Sequence, residues 1–322
     1  MLVNENKIIV CCATAVTGGP ELLHQLVDAL RKIGRDASIA YYPFNQSFSC
    51  PEPYKKYDAP QVNLLDNNDV FIIVPESATW IIKNIKNARV GIWWLSVDNY
   101  FLAKHQSRLK DFCLRYTSLI KKRISMGRIK KYKNIIHFTQ SEYAKNFLQN
   151  AGIFSIELTD YLGRDHLGNL NSGISHVKKN IVVYNPKKGQ LQTKALMDYY
   201  PEICFVPILN MTPLEVNALL NEAKVYMDFG HHPGKDRPPR EGAIAGCCVI
   251  TGRKGSAGFY RDVPIPEKYK LDDLYGGYLN EFGPLVTDIF NNFEKNISEF
   301  KEYREIIIRE PEVFMRQVRN IF

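Results

Sequence analysis

The sequence predicts an α/β protein with two doubly wound parallel sheets. Short apolar runs alternate with stretches of helical apolar spacing from Lys7 to Asn150. The alternation stops at Gly163–Lys179, which is rich in Gly, Asn, His and Ser and reads as a linker, then restarts at Asn180. The chain has 322 residues, enough for two domains with a core each. The expected division is a domain over 1–162, a linker over 163–179 and a second domain over 180–290. Helices over 291–322 are expected to pack back on the first domain.

Lys7–Ala13 is a continuous apolar run, as expected of a central strand covered on both faces. The turn Thr17-Gly18-Gly19-Pro20 follows. Glu21–Ile33 then places Leu22, Leu23, Leu26, Val27, Leu30 and Ile33 at helical spacing, with Gly34 as the stop. Ala37–Tyr42 is the next strand, which completes a β-loop-α-β unit. Asp69–Val74, Val90–Leu95 and Asn134–Thr139 are further strands, and Ala78–Ile85 and Ser141–Asn150 are helices. In the second half Asn180–Tyr184, Ile203–Ile208, Lys224–Asp228 and Cys247–Ile250 are strands. Helices are expected up to about Tyr199, over Pro213–Glu222, over Glu241–Gly246, and from Pro284 to a break at Pro311. Such alternation gives two Rossmann-like halves.

Hydrophobic residues make up 45% of the chain and charged residues 24%, which fits a globular protein. The net charge of +8 favours acidic partners: nucleotide phosphates, anionic lipid or nucleic acid. The seven cysteines show no CxxC spacing and most lie in apolar runs, which fits a reduced, cytoplasmic compartment. The apolar run Ile8–Val16 is too short to span a bilayer, and Glu5 in front of it argues against a signal peptide.

The most chemically loaded stretch is Phe229–Gly252, FGHHPGKDRPPREGAIAGCCVITG. Lys235, Arg237 and Arg240 stand in a loop stiffened by three prolines and two glycines, ahead of a helix expected to open at Glu241. A helix N-terminus offers unpaired N–H groups and a partial positive charge, and arginine adds forked donors suited to phosphate. Lys187 and Lys188, in the loop after Tyr184, are further phosphate candidates. A carboxylate such as Glu241 accepts from two vicinal hydroxyls at once.

Other candidates are spread along the chain. Gly18 and Gly19 let the backbone approach a ligand closely, although they form no GxGxxG. Glu76 and Asp98 follow strands, at the rim where open α/β sheets bind ligands, and Asp228 ends its strand. Glu76 or Asp98 is a general-base candidate, but strand-end acids are common and each alone reads first as structural. Trp93 and Trp94 precede Asp98 and suit the core. His24 falls near the apolar face of its helix, which suits a satisfied buried imidazole. No spacing suggests a metal site. Lys121–Lys133, KKRISMGRIKKYK, holds seven cations and no acid, with Ile124, Met126, Ile129 and Tyr132 interleaved. That pattern suits an anionic membrane surface or a solvated basic helix. Its aromatic interleaving is too thin for nucleic acid.

Several of these segments carry a resemblance. Thr17-Gly18-Gly19-Pro20-Glu21-Leu22, Thr139-Gln140-Ser141-Glu142-Tyr143-Ala144, Asn185–Gly189 and Arg240–Ile250 resemble loops and junctions of GT-B glycosyltransferases of the retaining family 4 type. The resemblance implies two Rossmann-like domains facing a central cleft, with a nucleotide-diphosphate sugar of UDP or GDP type as donor. It further implies a glycan or lipid-linked acceptor and no required cofactor. Glu241 would bond the donor ribose. Lys187, Lys188, Arg237 and Arg240 would neutralise the diphosphate without a metal. The implied setting is surface polysaccharide synthesis, cytoplasmic or peripheral on the inner face of the membrane. One departure stands out: the family carries a second glutamate eight positions before the one matching Glu241, and here that position is Pro233. A nucleotide-sugar epimerase, separated by donor turnover without acceptor, and a non-catalytic sugar-binding module, separated by binding without turnover, are the alternatives.

Overall fold

The computed structural model describes residues 2–44, 46–101, 124–132, 134–163, 167, 178–273 and 276–322. The chain divides into two compact units, one of Met1–Asp160 with Glu312–Phe322, the other of Tyr161–Pro311. The divisions therefore fall at 160 and 311, rather than at the 162 and 290 read from the sequence, and residues 291–311 stay with the second unit. Most of the expected linker lies outside the described residues.

The first unit holds six parallel strands. They are β1 (Lys7–Ala13), β2 (Asp36–Tyr42), β3 (Val70–Pro75), β4 (Arg89–Trp94), β5 (Ile136–Thr139) and β6 (Ile156–Glu157), in the order β2-β1-β3-β4-β5-β6. Its helices are α1 (Gly18–Lys32), α2 (Val97–Phe101), α3 (Met126–Ile129) and α4 (Glu142–Asn150). Ile8–Cys12 of β1 are fully buried, as a central parallel strand requires. Leu22, Leu23, Leu26, Val27 and Leu30 bury the inner face of α1, and Gly34 follows it at φ +85°. Ser141 caps α4 by accepting the Ala144 N–H at 3.1 Å. The helix expected over Ala78–Ile85 is instead a 3₁₀ helix, Glu76–Asn84, with Ala78 out of helical geometry. β-Branched Thr79, Ile81 and Ile82 crowd an α-helical turn there.

The second unit holds β7 (Lys179–Tyr184), β8 (Cys204–Pro207), β9 (Ala223–Asp228) and β10 (Cys248–Thr251), all parallel, in the order β10-β9-β7-β8. Its helices are α5 (Gln190–Tyr199), α6 (Pro213–Glu222), α7 (Arg237–Ile244), α8 (Tyr278–Asn291) and α9 (Phe293–Ser298). Thr212 and Glu215 form a capping box at α6. The last helix, α10 (Lys301–Ile321), runs through Pro311 instead of breaking there, and the division between the units falls within it. Its buried stripe of Tyr303, Ile307, Glu310, Phe314 and Val318 continues on both sides of the proline. That packing outweighs the one hydrogen bond Pro311 removes. Among the described residues no helix is long and apolar enough to cross a membrane.

Each sheet has a strand flanked by its two successors in sequence. In the second unit β7 lies between β8 and β9, so the chain winds off in opposite directions from it. The chain thus leaves β7 and β9 toward opposite edges of the sheet, and open α/β sheets take their ligands at the strand ends of such a point.

Candidate functional site

Three loops meet at this switch point. In the β7–α5 loop, Asn185 Oδ1 accepts the Lys187 N–H at 3.0 Å, and Gly189 enters α5 at φ +55°. A Cβ on Gly189 would stand 2.8 Å from the carbonyl carbon of Phe229, so the two loops approach only because it has none. The loop after β10 joins them. Ser256 N–H donates to His232 O at 2.8 Å, and Ser256 Oγ donates to Gly234 O at 2.6 Å.

A buried charge network holds the β9–α7 loop. Lys188 pairs with Asp236, and Asp236 Oδ2 lies 3.1 Å from His232 Nδ1. His232 Nε2 lies 3.6 Å from Asp228 Oδ1, which also accepts the Gly230 N–H at 2.8 Å. Tyr226 OH donates to Asp228 Oδ2 at 3.2 Å. Burial pushes the His232 pKa down, but the bond to Asp236 and the charges of Asp228 and Asp236 outweigh it, and the net direction is up. Burial raises Asp236, but His232 and Lys188 outweigh it and hold it below the usual carboxylate range. Asp228, His232 and Asp236 have the spacing of a metal site, their ligand atoms all lying within 4.8 Å of one another. The Lys188 ammonium already pairs with Asp236 of that set, so a dication there would have to displace it.

The network has a defined pH signature. Stabilisation from the raised His232 is fully present below its unfolded pKa of about 6.5 and is lost as pH rises through the folded value. Stabilisation from the depressed Asp236 is present above about 3.9 and is lost as pH falls through its folded value. His232→Gln is therefore expected to cost most near pH 6 and progressively less on the alkaline side. Thermal melts of both proteins across pH 5.5 to 9 check this, and a constant difference in Tm would contradict it.

Helix α7 begins at Arg237, earlier than the Glu241 start expected from the sequence. Pro238 and Pro239 read as loop, yet proline suits a first turn, where N–H groups lack helical partners in any case. This start changes the chemistry. The two prolines remove N–H donors from the helix end, and Asp236, a carboxylate, stands at the N-cap. The helix terminus is thus a poorer anion site than expected, and the side-chain cations must do the work.

Arg240 is not among those cations. It is fully buried, and its Nη1 donates to Glu310 Oε2 at 2.9 Å. Its Nη2 donates to Lys235 O at 2.9 Å and its Nε to Asp236 O at 3.3 Å. Lys235 Nζ lies 2.6 Å from Glu310 Oε1. Arg240 therefore fixes the entry to α7, with its guanidinium turned into the core. Arg237 and Glu241, four residues apart on one face of α7, line a pocket of about 160 Å³. Met211, Pro213, Val216, Asn217 and Leu220 form the rest of its lining. Lys187 is exposed, and Lys188 is held by Asp236.

Two of the three candidate catalytic acids are buried and bonded to backbone N–H groups. Asp228 is 3% exposed and binds its own loop, as described above. Glu76 is 2% exposed, and its Oε2 accepts the Leu95 N–H at 2.9 Å, which ties the end of β3 to the end of β4. Asp98 is half-buried at the start of α2 and accepts from Tyr143 OH at 3.1 Å. Gly18 and Gly19 form the first turn of α1, and a Cβ on Gly19 would meet Leu95 at an ordinary 3.9 Å. His24 is fully buried, with Nδ1 2.7 Å from Pro20 O and Nε2 2.7 Å from Tyr41 OH. Of Lys121–Lys133, only Ile124–Tyr132 are described. Ile124 and Ile129 are buried, while Arg128, Lys130, Lys131 and Tyr132 are exposed.

No family model and no curated protein matches the chain. Solved structures do. HepE of Anabaena in complex with UDP-glucose is 11% identical at a TM-score of 0.61, over 98% of each chain. A glycosyltransferase from Rickettsia africae is 13% identical at 0.61, over 99% of this chain and 98% of that one. WaaG, a glycosyltransferase involved in lipopolysaccharide biosynthesis, is 10% identical at 0.61, over 97% and 99%. The chain has the GT-B fold. At these identities the likeness is one of architecture, and residue roles rest on this chain's own geometry.

Within the GT-B framework, sequence reading missed three groups of the second unit. Glu310 lies 70 positions from Arg240, with no local pattern to mark it. Lys254, on the loop after β10, sits 2.7 Å from the buried carboxylate of Asp273. Asn217 reads as an ordinary polar residue of α6 and lines the pocket.

Proposed function

We propose that this GT-B chain is a glycosyltransferase. It moves a hexose from a nucleotide-diphosphate sugar to a glycan or lipid-linked acceptor in surface polysaccharide synthesis, without a metal. The observation that carries the reading is the pocket between α6 and α7 of the second unit, where one helix face presents Arg237 and Glu241 opposite an apolar wall from α6. The wall suits a nucleobase, the Glu241 carboxylate suits the ribose diol, and Arg237 with Lys187 suits the diphosphate. Lys188 acts by holding Asp236 at the N-cap of α7. Fixed cations favour departure of a nucleoside diphosphate, whose negative charge grows in the transition state. On the first unit, Gly18 and Gly19 offer backbone to the substrates, and Asp98 is the general-base candidate for the acceptor hydroxyl.

Neighbours of the same fold support the donor class. HepE was solved with UDP-glucose and with UDP, and a TarM mutant with fondaparinux, α-GlcNAc-glycerol and UDP. We place the protein in the cytoplasm, peripheral on the inner face of an anionic membrane. The described part of the basic stretch would meet that membrane through Arg128, Lys130, Lys131 and Tyr132. The buried Ile124 and Ile129 argue against insertion of an apolar face. One observation favours a non-catalytic sugar-binding module instead: Pro233 where the family carries an acid.

A thermal-shift screen against UDP, GDP, ADP, CMP and their sugar conjugates, with EDTA and then with Mg²⁺, tests the proposal. A ligand at about 100 times its Kd stabilises the native state by about 2.7 kcal/mol, a rise of several degrees. The expected result is a metal-independent rise with one nucleoside diphosphate and its sugar conjugate. Absence of any shift at millimolar ligand would contradict the donor site. A shift without sugar transfer across an acceptor panel would favour the binding module.

A further inference from the structure

The pocket contains a polar group that the donor reading leaves without a role, the side chain of Asn217 on α6. Its orientation follows from its neighbour one turn on. Asn221 Nδ2 lies 2.9 Å from the backbone carbonyl of Asn217 and 2.8 Å from Asn217 Oδ1. A backbone carbonyl only accepts, so the Asn221 atom facing it is the amide nitrogen. That nitrogen donates to the Asn217 side chain as well, so the Asn217 atom it meets is the oxygen. What Asn217 has left to offer is Nδ2, a donor of two N–H bonds. The remaining pocket lining is apolar apart from Arg237 and Glu241.

We infer that Asn217 reads the donor's nucleobase and selects a base that presents a carbonyl oxygen, uracil through O4 or guanine through O6. Cytosine and adenine carry an exocyclic amine at the corresponding position, and two donors facing each other leave both unpaired. Sites that hydrogen-bond a polar substrate group discriminate far more strongly than apolar pockets do, because the mismatched group is left buried and unpaired. Asn221 is the positioning residue: it locks the Asn217 amide so that only the donor end is offered. The inference rests on the donor-site reading above.

Calorimetric titration with UDP, GDP, CDP and ADP tests it. UDP or GDP is expected to bind at least about tenfold tighter than CDP and ADP. Asn217→Asp replaces the donor by an acceptor, so the affinity ratio of the better of UDP and GDP to the better of CDP and ADP is expected to fall at least about tenfold with Tm unchanged. Asn221→Ala removes the lock and lets the Asn217 amide turn over. That ratio is then expected to move toward one while Asn217 itself is intact. Glu241→Ala is titrated alongside. Should the native chain bind CDP or ADP as tightly as the better of UDP and GDP, or should both Asn variants keep the native ratio, Asn217 is not the selector. If Glu241→Ala still weakens every nucleotide in that case, the donor site itself stands. If none of the four nucleotides binds the native chain, the donor site and its selector fall together.

Discussion

Glu310→Gln is expected to destabilise the second unit by about 3–5 kcal/mol, the usual cost of breaking a buried ion pair from one side. Glu310 is 3% exposed and is the carboxylate between two cations, Lys235 at 2.6 Å and the fully buried Arg240 at 2.9 Å. Neutralising it leaves two positive charges facing each other with little access to water. The loss reaches α7 because Arg240 also holds the carbonyls of Lys235 and Asp236, at 2.9 and 3.3 Å. The side chain of Asp236 makes no capping bond to this short helix, so these contacts take over the job of fixing its start. Denaturant unfolding of both proteins gives the difference directly. Lys235→Met, Arg240→Met and Glu310→Met combined should cost less than Glu310→Gln alone, since no uncompensated charge remains. A loss below about 1 kcal/mol for Glu310→Gln would show the triad to be solvated rather than buried.

The second large effect falls on binding. Arg237→Ala and Glu241→Ala should each weaken nucleoside diphosphate binding by about 10- to 100-fold, or about 1.4–2.8 kcal/mol, the range for hydrogen bonds to charged groups. Both side chains are only half-buried, so stability should change by about 1 kcal/mol or less. The two losses should differ in kind. The Arg237→Ala loss should shrink as salt rises, because it acts on phosphate charge. The Glu241→Ala loss should vanish against a 2′,3′-dideoxynucleoside diphosphate, which has no diol to bond.

Much of the fold is legible in the sequence because burial leaves a local trace. The apolar run of β1 gives Lys7–Ala13 at both ends, and the Thr212-to-Glu215 capping box marks the start of α6. The order of strand and helix then dictates two parallel sheets and hence two switch points. Proline is where local reading fails, in opposite senses at two places. Pro238 and Pro239 belong to the first turn of α7 rather than to a loop, and Pro311 sits within α10 rather than ending it. In both cases the deciding term is tertiary packing or the helix end itself, neither of which is visible in propensity.

The site is legible in outline and not in detail. A run of cations before a helix marks the right loop, but which cation faces the pocket depends on partners far away in sequence. Arg237 and Arg240 look equivalent in the sequence. Glu310 separates them, drawing Arg240 into the core and leaving Arg237 beside Glu241. The strand-end acids divide in the same way. Glu76 and Asp228 are consumed by N–H groups of Leu95 and Gly230, and Asp98 alone of the three remains partly open. The Asn217–Asn221 pair is an i, i+4 contact that sequence does encode, although its meaning depends on the pocket it borders.

The most direct test of the donor site is calorimetric titration of UDP and GDP into the native chain, Arg237→Ala and Glu241→Ala, with EDTA present. The expected result is saturable one-to-one binding of at least one diphosphate to the native chain, weakened at least about tenfold by each substitution with melting temperatures preserved. Equal affinity in all three proteins, or no binding to the native chain at millimolar ligand, would contradict the site.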